Sequence, residues 1–301
     1  MTILRNYRGR FAPSPTGPLH FGSLVTALAS YLEAKSCEGR WLVRIEDLDP
    51  LREPSEATGE ILNSLDAHGL FSDEPVVFQS RRHEVYHSAI EHLLNQGRAY
   101  RCSCSRKELQ TNHGRHPQQC RSNNFSINKV AIHNVANNHQ PFAIRYALND
   151  EQCQWRDQLL GPQHQTVRSE IDDPVLLRKE GFFAYQLAVV VDDIEQGITD
   201  VVRGSDLLEM TAQQRQIYRA LGATPPRWLH IPVILNDQGQ KLSKQNRAPA
   251  LDNDRPVKNV FEALVALGQE PPASLLMGSV TDSLEWACGH WHRGAIHLTH
   301  R

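Results

Sequence analysis

The chain predicts an α/β fold built on an open, doubly wound parallel sheet, and three observations carry that expectation. From Tyr7 to Leu65 short apolar runs of strand length alternate with amphipathic helical runs in the order βαβα, which places helices on the faces of a parallel sheet. A turn rich in proline and glycine, Pro13-Ser-Pro-Thr-Gly-Pro18, separates the first strand from the first helix. The composition, 40% hydrophobic and 22% charged over 301 residues, is that of a globular chain with a sizeable core and room for roughly two domains.

The elements follow in order. Tyr7–Ala12 is expected as a strand and Ser23–Lys35 as a helix, with Leu24-Val-Thr-Ala-Leu-Ala-Ser-Tyr-Leu32 apolar at helical spacing and Ser23 suited to the N-cap. Trp41–Ile45 is the next strand, Ser55–Leu65 the next helix, and a helix from Arg81 to Gly97 leads into a cysteine-bearing segment. Residues 98–181 are rich in Asn, Gln and His and suggest a smaller inserted domain with short strands such as Phe142–Tyr146. The sheet pattern then resumes with a helix Phe183–Val191, a strand Ile198–Arg203, a helix Leu207–Leu221 and a strand Ile231–Leu235. Phe261–Gly268 has the spacing of one more helix, and the chain from Ser274 onward shows no strong periodicity. The expected division is a core of residues 1–97 and 182–235, an insert of 98–181, and a loop plus short helical region of 236–301.

Charge and cysteine content narrow the classes. Lys and Arg number 32 against 34 Asp and Glu, a net −2, so a nucleic-acid partner needs a local basic patch. Arg81, Arg82, Arg98, Arg101, Arg106 and Lys107 could form one, or a solvated, charge-balanced face. The first residues, Met-Thr-Ile-Leu-Arg-Asn-Tyr-Arg, contain no apolar signal region, and no run approaches about 20 apolar residues. A cytoplasmic, monomeric protein is expected, so its six cysteines are thiols or ligands rather than disulfides.

Two segments carry the chemistry. Arg10-Phe-Ala-Pro-Ser-Pro-Thr-Gly-Pro-Leu-His20-Phe-Gly22-Ser23 sits where a strand gives way to a helix, and Lys241-Leu-Ser-Lys244 follows a strand-like run. A triphosphate near a strand end needs a turn without bulk, which Gly17 and Gly22 supply. Proline stiffens the approach, and the positive end of the helix favours phosphate. His20 can donate to a phosphate oxygen, and Lys244, with Lys241, can reach the α/β-phosphates. Transfer at phosphorus depends mainly on positioning and charge neutralisation of this kind.

Together, in this order, the two segments resemble the paired nucleotide-binding motifs of class I aminoacyl-tRNA synthetases. Arg10-Phe-Ala-Pro-Ser-Pro-Thr-Gly, Arg44-Ile-Glu46-Asp47-Leu-Asp49-Pro50, Gln79-Ser-Arg81, Tyr185-Gln-Leu-Ala-Val-Val-Val-Asp-Asp193 and Val201-Val-Arg203-Gly-Ser-Asp206 narrow the likeness to the glutamyl branch. It spans about residues 8 to 250 and is collinear. Gln245-Asn-Arg-Ala-Pro-Ala-Leu251 after Lys244, and the 301-residue length, resemble the short glutamyl-Q family, which lacks the helical anticodon-binding region of ordinary glutamyl enzymes. The resemblance implies a Rossmann-like class I core with an inserted zinc-bearing subdomain and a short helical C-terminal region.

Glutamate recognition calls for guanidinium against carboxylate and carboxylate against ammonium. The resemblance assigns Arg10, Arg203 and Glu46 to those roles, Tyr185 as a hydroxyl donor, and Phe11, Ala12, Pro13 and Ser14 to the wall. Each has a plainer alternative: Arg203 paired with Asp206 or Asp200, Glu46 as a cap or sheet-end acid, Tyr185 as a packed aromatic. ATP is assigned to His20, Gly22, Lys241 and Lys244. One departure is Val189, where ordinary glutamyl enzymes often carry Asn.

Cys102, Cys104 and Cys120 cluster with His113 and His116 between them, a donor set that zinc accepts in tetrahedral geometry. The resemblance implies a structural zinc held by Cys102, Cys104, His116 and Cys120, with His116 where the family has Tyr and His113 as a weaker substitute. Reduced surface cysteines are the alternative. The expected function is activation of L-glutamate by ATP with Mg2+, and the resemblance implies transfer to the queuosine base at the wobble position of tRNA(Asp). The alternatives are a truncated enzyme charging a tRNA 3′ end and an inactive tRNA-binding module.

Overall fold

The computed structural model describes residues 6–111, 121, 141–167, 172–235, 239, 242 and 248–297. Three parallel strands open the sheet: β1 (Arg8–Phe11), β2 (Arg40–Ile45) and β3 (Val77–Phe78), ordered β1-β2-β3. Helix α1 (Phe21–Lys35) crosses from β1 to β2, and α2 (Ala57–Ala67) follows β2. In β2 every residue after Arg40 is buried, as expected of a parallel strand covered on both faces. After a 3-10 turn at Gln79–Arg81, α3 (His83–Asn95) leads out of the sheet.

The segment that follows is antiparallel. Strand β5 (Ala143–Tyr146) lies between β4 (Ala99–Cys102) and β8 (Val175–Leu177) and pairs with both, with α4 (Arg106–Thr111) after β4. Between them β6 (Gln152–Asp157) and β7 (Gly161–Thr166) form a hairpin. The chain then returns through α5 (Tyr185–Glu195), β9 (Asp200–Gly204), α6 (Thr211–Ala220) and β10 (Arg227–Ile231). Strands β9 and β10 are parallel, with Val202 opposite Leu229 and Arg203 opposite His230. This ribbon adjoins β1, where the Thr199 amide donates to the Arg8 carbonyl at 3.0 Å. Two helices complete the chain, α7 (Pro256–Ala266) and α8 (Val280–His290).

Two apolar clusters hold these layers. In the first, Leu24, Leu28 and Leu32 of α1 meet Trp41, Val43 and Ile45 of β2, together with Val260, Ala263 and Leu264 of α7 and Leu284 and Ala287 of α8. The C-terminal helices therefore share the core of the first βαβ unit. Truncating Leu28, fully buried there, costs about 2–5 kcal/mol on general grounds. In the second cluster Tyr86, Ile90 and Leu93 of α3, Ile144 and Tyr146 of β5, and Leu187 to Val191 of α5 pack together.

Several boundaries differ from the sequence expectation, each for a local reason. Helix α1 begins at Phe21, and its N-cap is His20 rather than Ser23, because the imidazole of His20 accepts from the Ser23 amide. The expected strand Ile231–Leu235 lies earlier, at Arg227–Ile231; Pro232 has no amide to extend the ladder. The expected helix Leu207–Leu221 is a 3-10 turn, Ser205–Met210, followed by α6. The C-terminal stretch without strong periodicity holds helix α8, started by a capping box between Ser279 and Asp282. The hairpin β6–β7 was not anticipated at all. No described helix is long and apolar enough to cross a membrane.

Candidate active site

The carboxyl ends of the sheet strands converge on one cavity of about 740 Å³. Its wall takes Arg10 and Phe11 from β1, then Ala12, Pro13, Ser14 and Thr16 from the turn that follows. His20, Gly22, Ser23 and Thr26 come from the start of α1, and Glu46 from the end of β2. Tyr185 opens α5, Arg203 and Gly204 close β9, and Val233 and Ile234 follow β10. This is where an open parallel sheet offers a ligand crevice.

The phosphate-like side of the cavity is the N-terminus of α1. His20 Nδ1 accepts from the Ser23 amide at 3.2 Å, so in the neutral ring the proton sits on Nε2. A Cβ at position 22 would press on the His20 ring at 3.3 Å, so a side chain there would have to shift that imidazole by a few tenths of an ångström. Gly17 adopts φ 150°, a conformation that L side chains rarely adopt. A close approach of backbone amides at a helix start, with an imidazole N–H beside it, suits an anion.

A second set of residues at the cavity belongs to a buried charge network. Arg10 donates to Asp193 through Nε at 3.1 Å and Nη2 at 3.2 Å, and Arg44 Nη1 lies 2.8 Å from the same carboxylate. Tyr218 donates to it as well at 3.0 Å. Burial alone would raise the Asp193 carboxyl, but Arg10 and Arg44 hold it below the ordinary range. Asp192, the preceding residue, accepts from Gln79, Arg82 and Tyr86. Two carboxylates at the negative end of a buried helix are unfavourable unless so matched. Glu46 is 7% exposed and has Arg44 Nη2 at 3.4 Å. Burial pushes its carboxyl up to about 7, against the downward pull of Arg44 and Arg10.

Arg203 is held differently. Its Nε donates to His230 Nε2 at 2.9 Å, Nη1 to Gln214 Oε1 at 2.7 Å, and Nη2 to Thr211 Oγ1 at 2.8 Å and the Leu207 carbonyl at 3.1 Å. All four acceptors are neutral. Asp200, one expected ion-pair partner, is instead taken by Arg227 at 2.6 Å. Burial pushes the Arg203 guanidinium below its ordinary value. A buried cation whose direct acceptors are neutral can receive an anionic ligand.

Arg10, Phe11, Ala12, Pro13, Ser14, His20, Gly22, Glu46, Tyr185 and Arg203, all singled out from sequence, line this one cavity. Val189 does not; it is buried in the second apolar cluster. Lys241 and Lys244 lie outside the described residues, while their neighbour Leu242 lines the cavity and its amide donates to the Ile234 carbonyl at 2.8 Å. Cys102 is buried at the end of β4 and Cys104 is half-buried just beyond it. Lys179 Nζ holds the Ser103 and Cys104 carbonyls at 2.7 and 2.8 Å. His113, His116 and Cys120 lie outside the described residues, and among the described residues no group of three or more His, Cys, Asp or Glu is placed to hold a metal.

The proposed basic patch needs one correction. Arg82 turns inward onto Asp192 at 2.7 Å and Glu195 at 2.5 Å, so its charge is compensated. Arg81 packs over Phe78, Arg101 over Phe142, and Arg98 bonds Asn149. Sequence reading missed Arg44, Asp193, Tyr218, Gln214, Thr211, His230 and Asp157 as parts of the site. For the aspartates a signal existed, because Asp192-Asp193 end an otherwise apolar helical run and buried carboxylates require partners.

Known proteins resemble this chain over most of its length. Residues 6–273 match the family described as tRNA synthetases class I (E and Q), catalytic domain. A glutamyl-Q tRNA(Asp) synthetase of Photobacterium profundum is 45% identical over 291 residues, covering 97% of this chain and 90% of the relative. One from Chromobacterium violaceum is 46% identical, covering 95% and 93% respectively. Among solved structures, a glutamate tRNA ligase from Elizabethkingia meningosepticum in complex with its amino acid superposes with a TM-score of 0.79 at 26% identity. That match covers 98% of this chain and 66% of the ligase, so the chain spans about two thirds of that enzyme.

Proposed function

Since the chain belongs to the glutamyl-Q tRNA(Asp) synthetases, within the class I tRNA synthetases of the E and Q type, we propose that it activates L-glutamate with ATP and passes the glutamyl group to the queuosine base of tRNA(Asp). The observation that carries the activation step is that one cavity is lined by two charged sets. The first is Arg203, a buried cation with neutral acceptors, with Arg10 and Glu46, and the second is His20 with the α1 N-terminus. An amino acid with two carboxylates and an ammonium fits the first, and a triphosphate fits the second.

In this reading an α-carboxylate oxygen of glutamate attacks the α-phosphorus of ATP. The P–O bond to the β-phosphate breaks, pyrophosphate leaves, and glutamyl-adenylate remains. His20 Nε2–H donates to a phosphate oxygen as charge builds there, and Lys244 adds a positive charge. Mg2+ carried by ATP supplies further neutralisation. Glu46 receives the ammonium, while Tyr185 and Arg203 receive a carboxylate. A hydroxyl of the queuosine cyclopentenediol then attacks the glutamyl carbonyl carbon and AMP departs. The relatives' shared name supports that acceptor.

Zinc is part of the proposal as a structural ion. Cys102 ends β4 and Cys104 follows two residues beyond it, and a closely spaced thiolate pair suits zinc. His116 and Cys120 would complete the set. The ion would tie the segment after β4 together and take no part in the chemistry.

The test is the position of labelled glutamate on tRNA. Queuosine-containing tRNA(Asp) stripped of its terminal adenosine should still be labelled, on the anticodon fragment after nuclease cleavage, and an unmodified transcript should not. Label confined to an intact 3′ end would establish the charging enzyme instead. No glutamate-dependent pyrophosphate exchange at all would establish an inactive module.

A further inference from the structure

The hairpin β6–β7 reaches the cavity indirectly, through two buried residues that the chemistry above does not use. Asp157, 1% exposed, ends β6, and its Oδ1 accepts from the Leu159 and Leu160 amides at 3.0 and 2.9 Å. Its Oδ2 lies 2.6 Å from Nδ1 of His230, which is fully buried on β10. Next to Asp157, the Gln158 amide donates to the Trp228 carbonyl at 2.8 Å, so the hairpin turn is pinned along β10. The other ring nitrogen of His230, Nε2, accepts from Arg203 Nε at 2.9 Å. Parallel pairing puts Arg203 opposite His230, which explains why the two side chains meet on one face.

The proton bookkeeping has a single solution. An arginine Nε always carries hydrogen, so the facing His230 Nε2 must be a lone pair and the proton must sit on Nδ1, donated to the Asp157 carboxylate. Protonation of both nitrogens would set N–H against N–H beside a cation. Burial and Arg203 both act against it, although Asp157 acts in its favour. Of the five N–H donors of a guanidinium, four on Arg203 are committed to His230, Gln214, Thr211 and Leu207. Tyr185 also interacts with this guanidinium, so the orientation Arg203 presents to the cavity is set by these neighbours.

We infer that Asp157 and His230 are positioning residues for glutamate recognition: the inserted hairpin supplies a carboxylate that fixes the His230 tautomer, and His230 in turn aims Arg203 at the substrate carboxylate. The inference rests on the glutamate reading for its substrate and on the hydrogen-bond chain for its mechanism. Neither residue lines the cavity, so neither is catalytic.

Three variants and one spectroscopic measurement test it. In glutamate-dependent ATP–pyrophosphate exchange, D157N and H230L should raise the KM for glutamate about ten- to hundred-fold, the scale of a lost hydrogen bond to a charged group, with the KM for ATP unchanged. H230Q should stay within about threefold of the parent, because its amide can accept from Arg203 and donate to Asp157 at once. A purely structural role would lower the active fraction of D157N and H230L without moving the glutamate KM, and that result overturns the inference. So does H230Q failing as badly as H230L. Nitrogen NMR of the unaltered protein should show His230 protonated at Nδ1, and an Nε2-protonated ring would overturn the inference whatever the kinetics show. Absence of exchange in the unaltered protein would refute the glutamate reading, and the tautomer would still decide the hydrogen-bond chain.

Discussion

Replacing Glu46 with Gln should make the protein more stable and a poorer glutamate binder, and both effects follow from one buried carboxyl. Burial raises that carboxyl from 4.5 to about 7, which means that ionising it in the folded protein costs about 3 kcal/mol more than in the unfolded chain. The sign follows from proton counting. Between pH 4.5 and 7 the folded state holds the proton that the unfolded state has lost, so stability falls as pH rises across that window. Glutamine carries no such charge and can still accept from Arg44 Nη2. The melting temperature of E46Q relative to the parent should therefore climb between pH 5 and pH 8, by about 5 °C for a chain of this size. Binding moves the other way. The substrate ammonium needs an ionised Glu46, so the variant should lose about 10- to 100-fold in glutamate affinity at pH 8, the value of a charge-assisted hydrogen bond. In the unaltered protein glutamate must expel the Glu46 proton at pH 6, so calorimetry in buffers of different ionisation enthalpy should show close to one proton released there and almost none at pH 9. Glutamate binding at pH 6 without proton release, or an E46Q protein no more stable than the parent at pH 8, would refute the reasoning.

Three further outcomes are expected. D193N leaves Arg10 and Arg44 without the carboxylate they share and should lose about 3–5 kcal/mol of stability by denaturant unfolding; because Asp193 is held low in the folded state, the contribution it makes is full at neutral pH and fades as pH falls through its folded value. H20N keeps a good N-cap for α1 yet moves the phosphate donor, so kcat in exchange should fall about 100- to 1,000-fold while the KM for glutamate stays near the parent's. Metal analysis should find about one zinc per chain, lost in C104S together with thermal stability of the insert but with exchange activity largely kept; full metal retention by H116A combined with C120A would remove those two residues from the site.

How far the sequence reached can be traced on particular residues. Strand-helix alternation and the turn before His20 put His20, Glu46 and Arg203 at strand ends, and the family resemblance added Arg10 and Tyr185; the structure has all five lining a single cavity. Local rules suffice there, because in a parallel sheet every strand delivers its last residue to the same side. Local rules also explain the errors. Ser23 has N-cap chemistry, but the ring of His20 is already in place to take its amide, and the capping box at Ser279 was a readable signal left unread.

What only the tertiary structure decided is who partners whom in the interior. Nothing in the neighbourhood of Asp157 in sequence suggests His230, 73 positions on, and nothing near Arg10 suggests Asp193, 183 positions on. An ionisable side chain can be assigned a role from its own chemistry, but its charge state depends on what is buried beside it, and burial is a property of the packed chain. That is why Glu46 and Asp193, two carboxyls within the same arginine network, depart from their ordinary values in opposite directions.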